Sequence, residues 1–229
     1  MIRIHPNEER GQVEHGWLSA RHSFSFSSWY DPRHMGVSAL RVINQDIVAA
    51  HKGFGQHPHD NMEILTYVLR GRLQHTDTLG NRAEIRAGEL QLMSAGTGIQ
   101  HSEVNPGDEP LELLQIWLFP NVRDAAPRYA QKTFPHLTGL QRVVAPEGED
   151  AEALPIRQDA SIYRGELEAG EVTNHHLDDG RSAWLQVISG SVQLNNRLLQ
   201  PGDGAEVRAE SQLQLEAVSS TEFLLFDLP

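Results

Sequence analysis

Apolar and β-branched residues come in short runs along this chain: SALRVI at 38–43, EILTYVL at 63–69, ELQLM at 89–93 and LELLQIWLF at 111–119. Turn signals such as DTLGN at 77–81 and NPGDEP at 105–110 separate them, because Gly, Pro, Asn and Asp tolerate the backbone angles of a chain reversal. Regularly spaced strands with little helical periodicity predict an all-β barrel or sandwich. One helix is expected, from about Arg123 to Lys132, broken by Pro127.

The pattern also repeats faintly. VLRGRLQ at 68–74 resembles VISGSVQ at 187–193, and RAGE at 86–89 resembles QPGD at 200–203; the offset falls from 119 to 114 because the second hairpin turn is shorter. Two copies of one β-barrel module account for this. Between them lies TFPHLTGLQRVVAPEGEDAEALPIRQD, with several prolines, an acidic run at 147–152 and one expected strand around Leu140 to Val144. The boundary is expected near Phe134, giving an N-terminal lobe of residues 1–134 and a C-terminal lobe of residues 135–229.

Composition narrows the chemistry. The 229 residues are long enough to bury a real core. They contain no cysteine, which leaves neither disulfides nor thiolate ligands. Nineteen Lys and Arg against 31 Asp and Glu give a formal charge of −12, so no direct nucleic-acid partner driven by phosphate neutralisation is expected. The opening MIRIHPNEERG is charged from its third residue and has no apolar core, unlike a secretory signal. No run approaches a membrane span, and a cytoplasmic protein is the default expectation.

Two short pairs then stand out, His57-Pro58-His59 and His101-Ser102-Glu103. Residues i and i+2 of a strand share a face, so each pair can present two donors to one ion. Imidazole and carboxylate donors suit iron, manganese, nickel, copper, cobalt or zinc rather than magnesium or calcium. Glycines 53, 55, 71, 88, 96 and 98 bracket the pairs. Most of the other nine histidines, at 5, 15, 22, 34, 51, 75, 136, 175 and 176, read as surface or locally hydrogen-bonded groups. For the fourth donor Glu63 competes with Glu103. It follows His59 by four residues, and strand parity allows both; Glu103 needs no assumption about a regular strand across Asp60 and Asn61.

The segments HPHDNMEILTYVLRG and AGELQLMSAGTGIQHSEVN resemble the two motifs of the cupin barrel. More closely, HGWLSARHSFSFSSWYDPRHMGVSALRVIN, the two ligand pairs and LLQIWLFP are similar to the pirin family, in particular its bacterial quercetinase-like members. The likeness is strong over about the first 135 residues and weak beyond. It implies a bicupin, two jelly-roll β-barrels in one chain. It points to His57, His59, His101 and Glu103 as ligands of one divalent transition metal, iron first among those named above. Glu63 is then left to hold a histidine N–H or to lie exposed.

The same resemblance implies a quercetin 2,3-dioxygenase type of reaction, in which a flavonol meets the metal through its deprotonated hydroxyl, dioxygen opens the central ring and carbon monoxide leaves. Glu103 beside the metal can serve as the base for that hydroxyl. The rival reading is a non-enzymatic regulator whose iron redox state alters a surface for a protein partner. A sugar isomerase would need a basic and polar clamp that the sequence does not show. The pocket is expected to be mostly apolar. Its candidate wall residues are Phe54, Gln115 on the face of Leu113 and Trp117, and His22 and Phe24 of the HSFSF segment, for which strand packing is the alternative. In the second copy the offsets project the ligands onto His176, Asp178, Leu215 and Ala217, so no metal is expected there, and His175 and His176 read as loop residues.

Overall fold

The computed structural model describes all 229 residues. Its strands are, in the first half, β1 (Ile2–His5), β2 (Gly11–Glu14), β3 (Leu18–His22), β4 (Leu40–Val48), β5 (Gly53–His59), β6 (Glu63–Arg70), β7 (Arg72–Asp77), β8 (Arg82–Arg86), β9 (Glu89–Ser94), β10 (Ile99–Val104), β11 (Leu111–Leu118) and β12 (Arg128–Thr133). In the second half they are β13 (Gly139–Pro146), β14 (Leu154–Ile156), β15 (Ser161–Leu167), β16 (Val172–His176), β17 (Ser182–Ser189), β18 (Val192–Leu194), β19 (Arg197–Leu199), β20 (Gly204–Arg208), β21 (Gln212–Ala217) and β22 (Thr221–Leu228).

Each lobe pairs a seven-stranded sheet with a four-stranded one. The N-terminal lobe has β12-β9-β6-β11-β4-β3-β2 facing β5-β10-β7-β8, and the C-terminal lobe has β1-β20-β17-β22-β15-β13-β14 facing β16-β21-β18-β19. The fold is all-β and two-lobed, as the strand pattern and the internal repeat predict, and its barrels fit the cupin arrangement that the resemblance implies. One strand crosses the expected boundary: β1 pairs with β20 in the other lobe, so residues 2–5 do not belong with the N-terminal sheets.

The apolar runs read continuously because their strands are buried on both faces. On β11, Leu111 and Leu113 pack into the N-terminal barrel, while Leu114, Ile116 and Leu118 turn outward into a core of 22 buried residues shared by both lobes. On β22, Phe223 and Leu225 fill the C-terminal barrel while Leu224, Phe226 and Leu228 enter the shared core. Trp184 sits fully buried there against Phe24, ring centroids 4.7 Å apart. Sheets back to back over one such core unite the lobes.

Two local expectations fail. The helix near 123–132 is absent: residues 128–133 form β12, the edge strand of the seven-stranded sheet, paired along β9. Pro127 removes a helix N–H and disfavours helical angles at Ala126, and Arg128 is drawn to Ser94 Oγ, Glu147 and Pro155 O. His175 and His176 lie on a strand, β16, and not in a loop. Its register places Thr173 opposite Leu215 and His175 opposite Leu213, as β5 places His57 opposite His101 and His59 opposite Ile99. His176 and Asp178 therefore do not stand opposite Leu215 and Leu213. The longer connection from β16 to β17 displaces the simple projection.

Candidate metal centre

The centre is assembled on β5 and β10. Their antiparallel register sets His57 directly across from His101, then shifts so that Glu103 faces Phe54. Gly55 and Gln56 thus oppose Ser102 alone, a bulge with the extra residue on β5. The bulge flips side-chain parity, which brings Phe54 onto the face that carries His57 and His59. Gly53 sits where a Cβ would lie 2.2 Å from the Glu103 carbonyl oxygen, so the two strands approach more closely than any other residue permits.

Ring centroids are 4.8 Å apart for His57 and His59, 4.5 Å for His57 and His101, and 4.9 Å for His59 and His101. One ring nitrogen from each lies within 4.8 Å of the other two. The His57 Nδ1 bonds the Gly55 carbonyl at 2.7 Å, which fixes a proton there and leaves Nε2 with its lone pair. His59 Nε2 and both nitrogens of His101 are buried without a protein partner. Burial, followed by the charges of the neighbouring rings, pushes His59 down to about 4 and His101 down to about 3. Three neutral imidazoles with converging unpartnered nitrogens fit a divalent transition metal.

Glu103 joins this group from its side. Its carboxylate accepts from Thr66 Oγ1 at 3.1 Å and from Gln115 Nε2 at 3.0 Å, both on the opposite sheet, and Trp117 Nε1 donates to Gln115 Oε1. A Glu103 oxygen falls within 4.8 Å of nitrogens of His101 and of His75. His75 had read as an ordinary histidine. It is fully buried on β7, directly across from Glu103, and bonds the Asp77 carboxylate at 3.0 Å. The signal that could have found it is His75-x-Asp77, an i, i+2 pair on a strand next to β10.

A cavity of about 420 Å³ opens over His57, His59 and Glu103, with His101 buried behind them. Trp17, Phe26, Phe54 and Trp117 supply its apolar wall, and Asn44, Asp46, Glu103 and Gln115 its polar groups. Phe54 and Gln115 thus lie where expected. His22 and Phe24 do not: His22 packs edge-on against Phe26, Phe24 belongs to the core between the lobes, and Phe26 is the member of that segment that reaches the cavity. Glu63 is neither exposed nor bonded to a histidine. It is buried at the start of β6, accepting from Ser94 Oγ and the Arg157 N–H, because a reversal at Asn61 (φ 44°) interrupts the strand after His59.

The C-terminal barrel contains no such centre. Leu185, Leu194, Leu215, Ala217 and Leu225 fill it as a continuous apolar core, and both groups of converging donors lie in the N-terminal lobe.

Residues 4–118 match the family model described as Pirin, and residues 142–228 the one described as Quercetinase C-terminal cupin domain. Quercetin 2,3-dioxygenase from Escherichia coli (strain K12) is 46% identical over 230 residues, covering 100% of this chain and 99% of that protein. The pirin-like protein YhaK of the same strain is 34% identical over 239 residues, with 100% of both covered. Among solved structures, the bacterial pirin YhhW from Escherichia coli in complex with nickel(II) superimposes with a TM-score of 0.97 at 46% identity, over 100% of this chain and 99% of that one.

Proposed function

This chain belongs to the pirin family, and we propose that it is a metal-dependent dioxygenase of the quercetin 2,3-dioxygenase type. It opens the central ring of a flavonol with dioxygen and releases carbon monoxide. The observation that carries this reading is the convergence of His57, His59 and His101 under an aromatic-walled cavity, with the Glu103 carboxylate beside them. The names of the 46%-identical relatives support the reaction, and the nickel complex of one of them supports a divalent transition metal.

His57, His59 and His101 would hold the ion, with Glu103 as fourth donor. Iron and nickel both suit this donor set. When bound, the ion supplies open coordination positions and a positive charge that lowers the pKa of an attached hydroxyl. The residues do the rest. Trp17, Phe26, Phe54 and Trp117 clasp a planar ring system and exclude water. Glu103 takes the proton of the substrate hydroxyl, and Thr66 and Gln115 hold the carboxylate toward the cavity while it does so.

The test is elemental analysis of the purified protein combined with oxygen uptake, carbon monoxide release and loss of flavonol absorbance. About one metal per chain with flavonol-dependent oxygen consumption is expected. Metal without turnover across a flavonol panel would overturn the catalytic reading in favour of a metal-binding regulator.

A further inference from the structure

Strand β4 runs along the wall of the cavity opposite β5 and β10. Asn44 and Asp46, two residues apart on it, turn the same face inward and both line the cavity. Only 3% of Asn44 and 5% of Asp46 is exposed. No protein donor reaches Asn44 Oδ1 or Asp46 Oδ1. Arg10, whose charge acts on Asp46, spends Nη1 on Asn7 and Gln45 and Nη2 on the Arg21 carbonyl, and its Nε makes no hydrogen bond to Asp46. A buried carboxylate oxygen and a buried amide oxygen without donors cost roughly 1–3 kcal/mol each.

Their position explains the arrangement. Asn44 lies directly across from Gln115, which bonds Glu103, and Asp46 stands two residues further along β4, so β4 confronts the edge of a flat ligand that extends past Glu103, its far edge. When such a ligand displaces water from an aromatic-walled cavity, Asn44 and Asp46 are satisfied only by hydroxyl donors on that far edge. An analogue without them strands both acceptors.

We propose that Asp46, seconded by Asn44, is a specificity-determining residue that accepts a hydrogen bond from a phenolic hydroxyl remote from the reacting one. The ligand is thereby a polyhydroxylated aromatic. This rests on the flavonol reading above but concerns recognition alone, and a buried acceptor left unpaired by the wrong ligand supports a preference of roughly 10- to 100-fold.

The measurement is quenching of Trp17 and Trp117 fluorescence in the metal-stripped full-length protein, titrated with quercetin and with 3-hydroxyflavone, which has only the reacting hydroxyl. The native protein should prefer quercetin at least about tenfold, and Asp46→Ala should erase the preference by weakening quercetin binding alone. If Asp46→Ala does not fold, the isosteric Asp46→Asn should reduce the preference in the same direction. Either variant should also melt higher than the native protein without ligand, since it relieves an unpartnered carboxyl; a merely structural Asp46 would lower the melting temperature. Equal losses for both ligands, an unchanged preference, or no flavonol binding by the native protein would each overturn the proposal. Preferential binding that depends on Asp46, without turnover by the metal-loaded protein, would uphold it while removing the dioxygenase reading.

Discussion

Gln115 donates its Nε2–H to Glu103 Oε2 across 3.0 Å, from one sheet of the barrel to the other. With Thr66 it engages both carboxylate oxygens at the cavity wall. A base held by two neutral donors stays available as an acceptor, whereas a partner arginine would have locked it as an ion pair.

Replacing Glu103 by Gln keeps the size and one acceptor oxygen but removes the basicity. Turnover of flavonol should fall by roughly 10² to 10⁴, with metal content close to native. Retained metal together with retained turnover would eliminate Glu103 as the base.

His101 belongs to both groups of converging donors, His57-His59-His101 and His75-His101-Glu103. His101→Ala should therefore reduce metal from about one per chain to near none by mass spectrometry. The C-terminal barrel, filled by leucines, should supply no second ion. Two tight sites in a metal titration would contradict this.

Gly53→Ala tests the strand pairing rather than a ligand. The added Cβ meets Glu103 O and Val104 Cα at 2.2 and 2.5 Å, which prises β5 from β10 and spreads the histidines. Metal affinity should drop by roughly the 10- to 100-fold typical when groups that orient ligands are disturbed. Unchanged affinity in a competition assay with a chelator would show that the two strands have slack.

Acid should destabilise the metal-free protein well before its carboxylates titrate. Burial pushes His5, His22 and His59 down to about 4 and His101 down to about 3, whereas the unfolded chain binds protons at these rings below about 6.5. Between those limits the unfolded state holds more protons, so stability is full above about pH 6.5 and is lost as the pH falls toward about 4. Asp46, its carboxyl raised to about 7 by burial and then by Glu103, acts in the opposite sense, as do Glu63 and Glu222, both raised by burial, but the four histidines outnumber them. Urea midpoints measured with chelator at pH 7.5 and pH 5 should differ clearly, and saturating metal, which binds only the folded chain through deprotonated rings, should raise both midpoints without narrowing the gap. Equal midpoints would refute the argument.

Much of this was legible in the chain. Strand runs at 63–69, 89–93 and 111–119 lie within β6, β9 and β11 or overrun them by one residue, because a strand buried on both faces leaves an uninterrupted apolar stretch. The spacing within His57-x-His59 and His101-x-Glu103 survives for the same elementary reason, the two-residue pleat. What escaped depends on register between distant strands. The bulge that turns Phe54 inward, the place of His75 across from Glu103 and the pairing of Thr66 with Gln115 leave no mark in local sequence. Residues 123–132 misled because an alanine-containing segment suits a helix until Pro127 and the open edge of β9 claim it.

The exchange of β1 has a consequence for synthesis. Ile2–His5 pairs with residues 204–207, so these residues leave the ribosome about 200 positions ahead of their partners. The N-terminal lobe can close around its histidines while the chain is still growing, yet its leading strand must wait, unpaired, for the last sheet to appear. A stalled or truncated product would then carry a finished metal pocket and one loose strand, and the open edge of β20 in a neighbouring chain would offer that strand a place to dock.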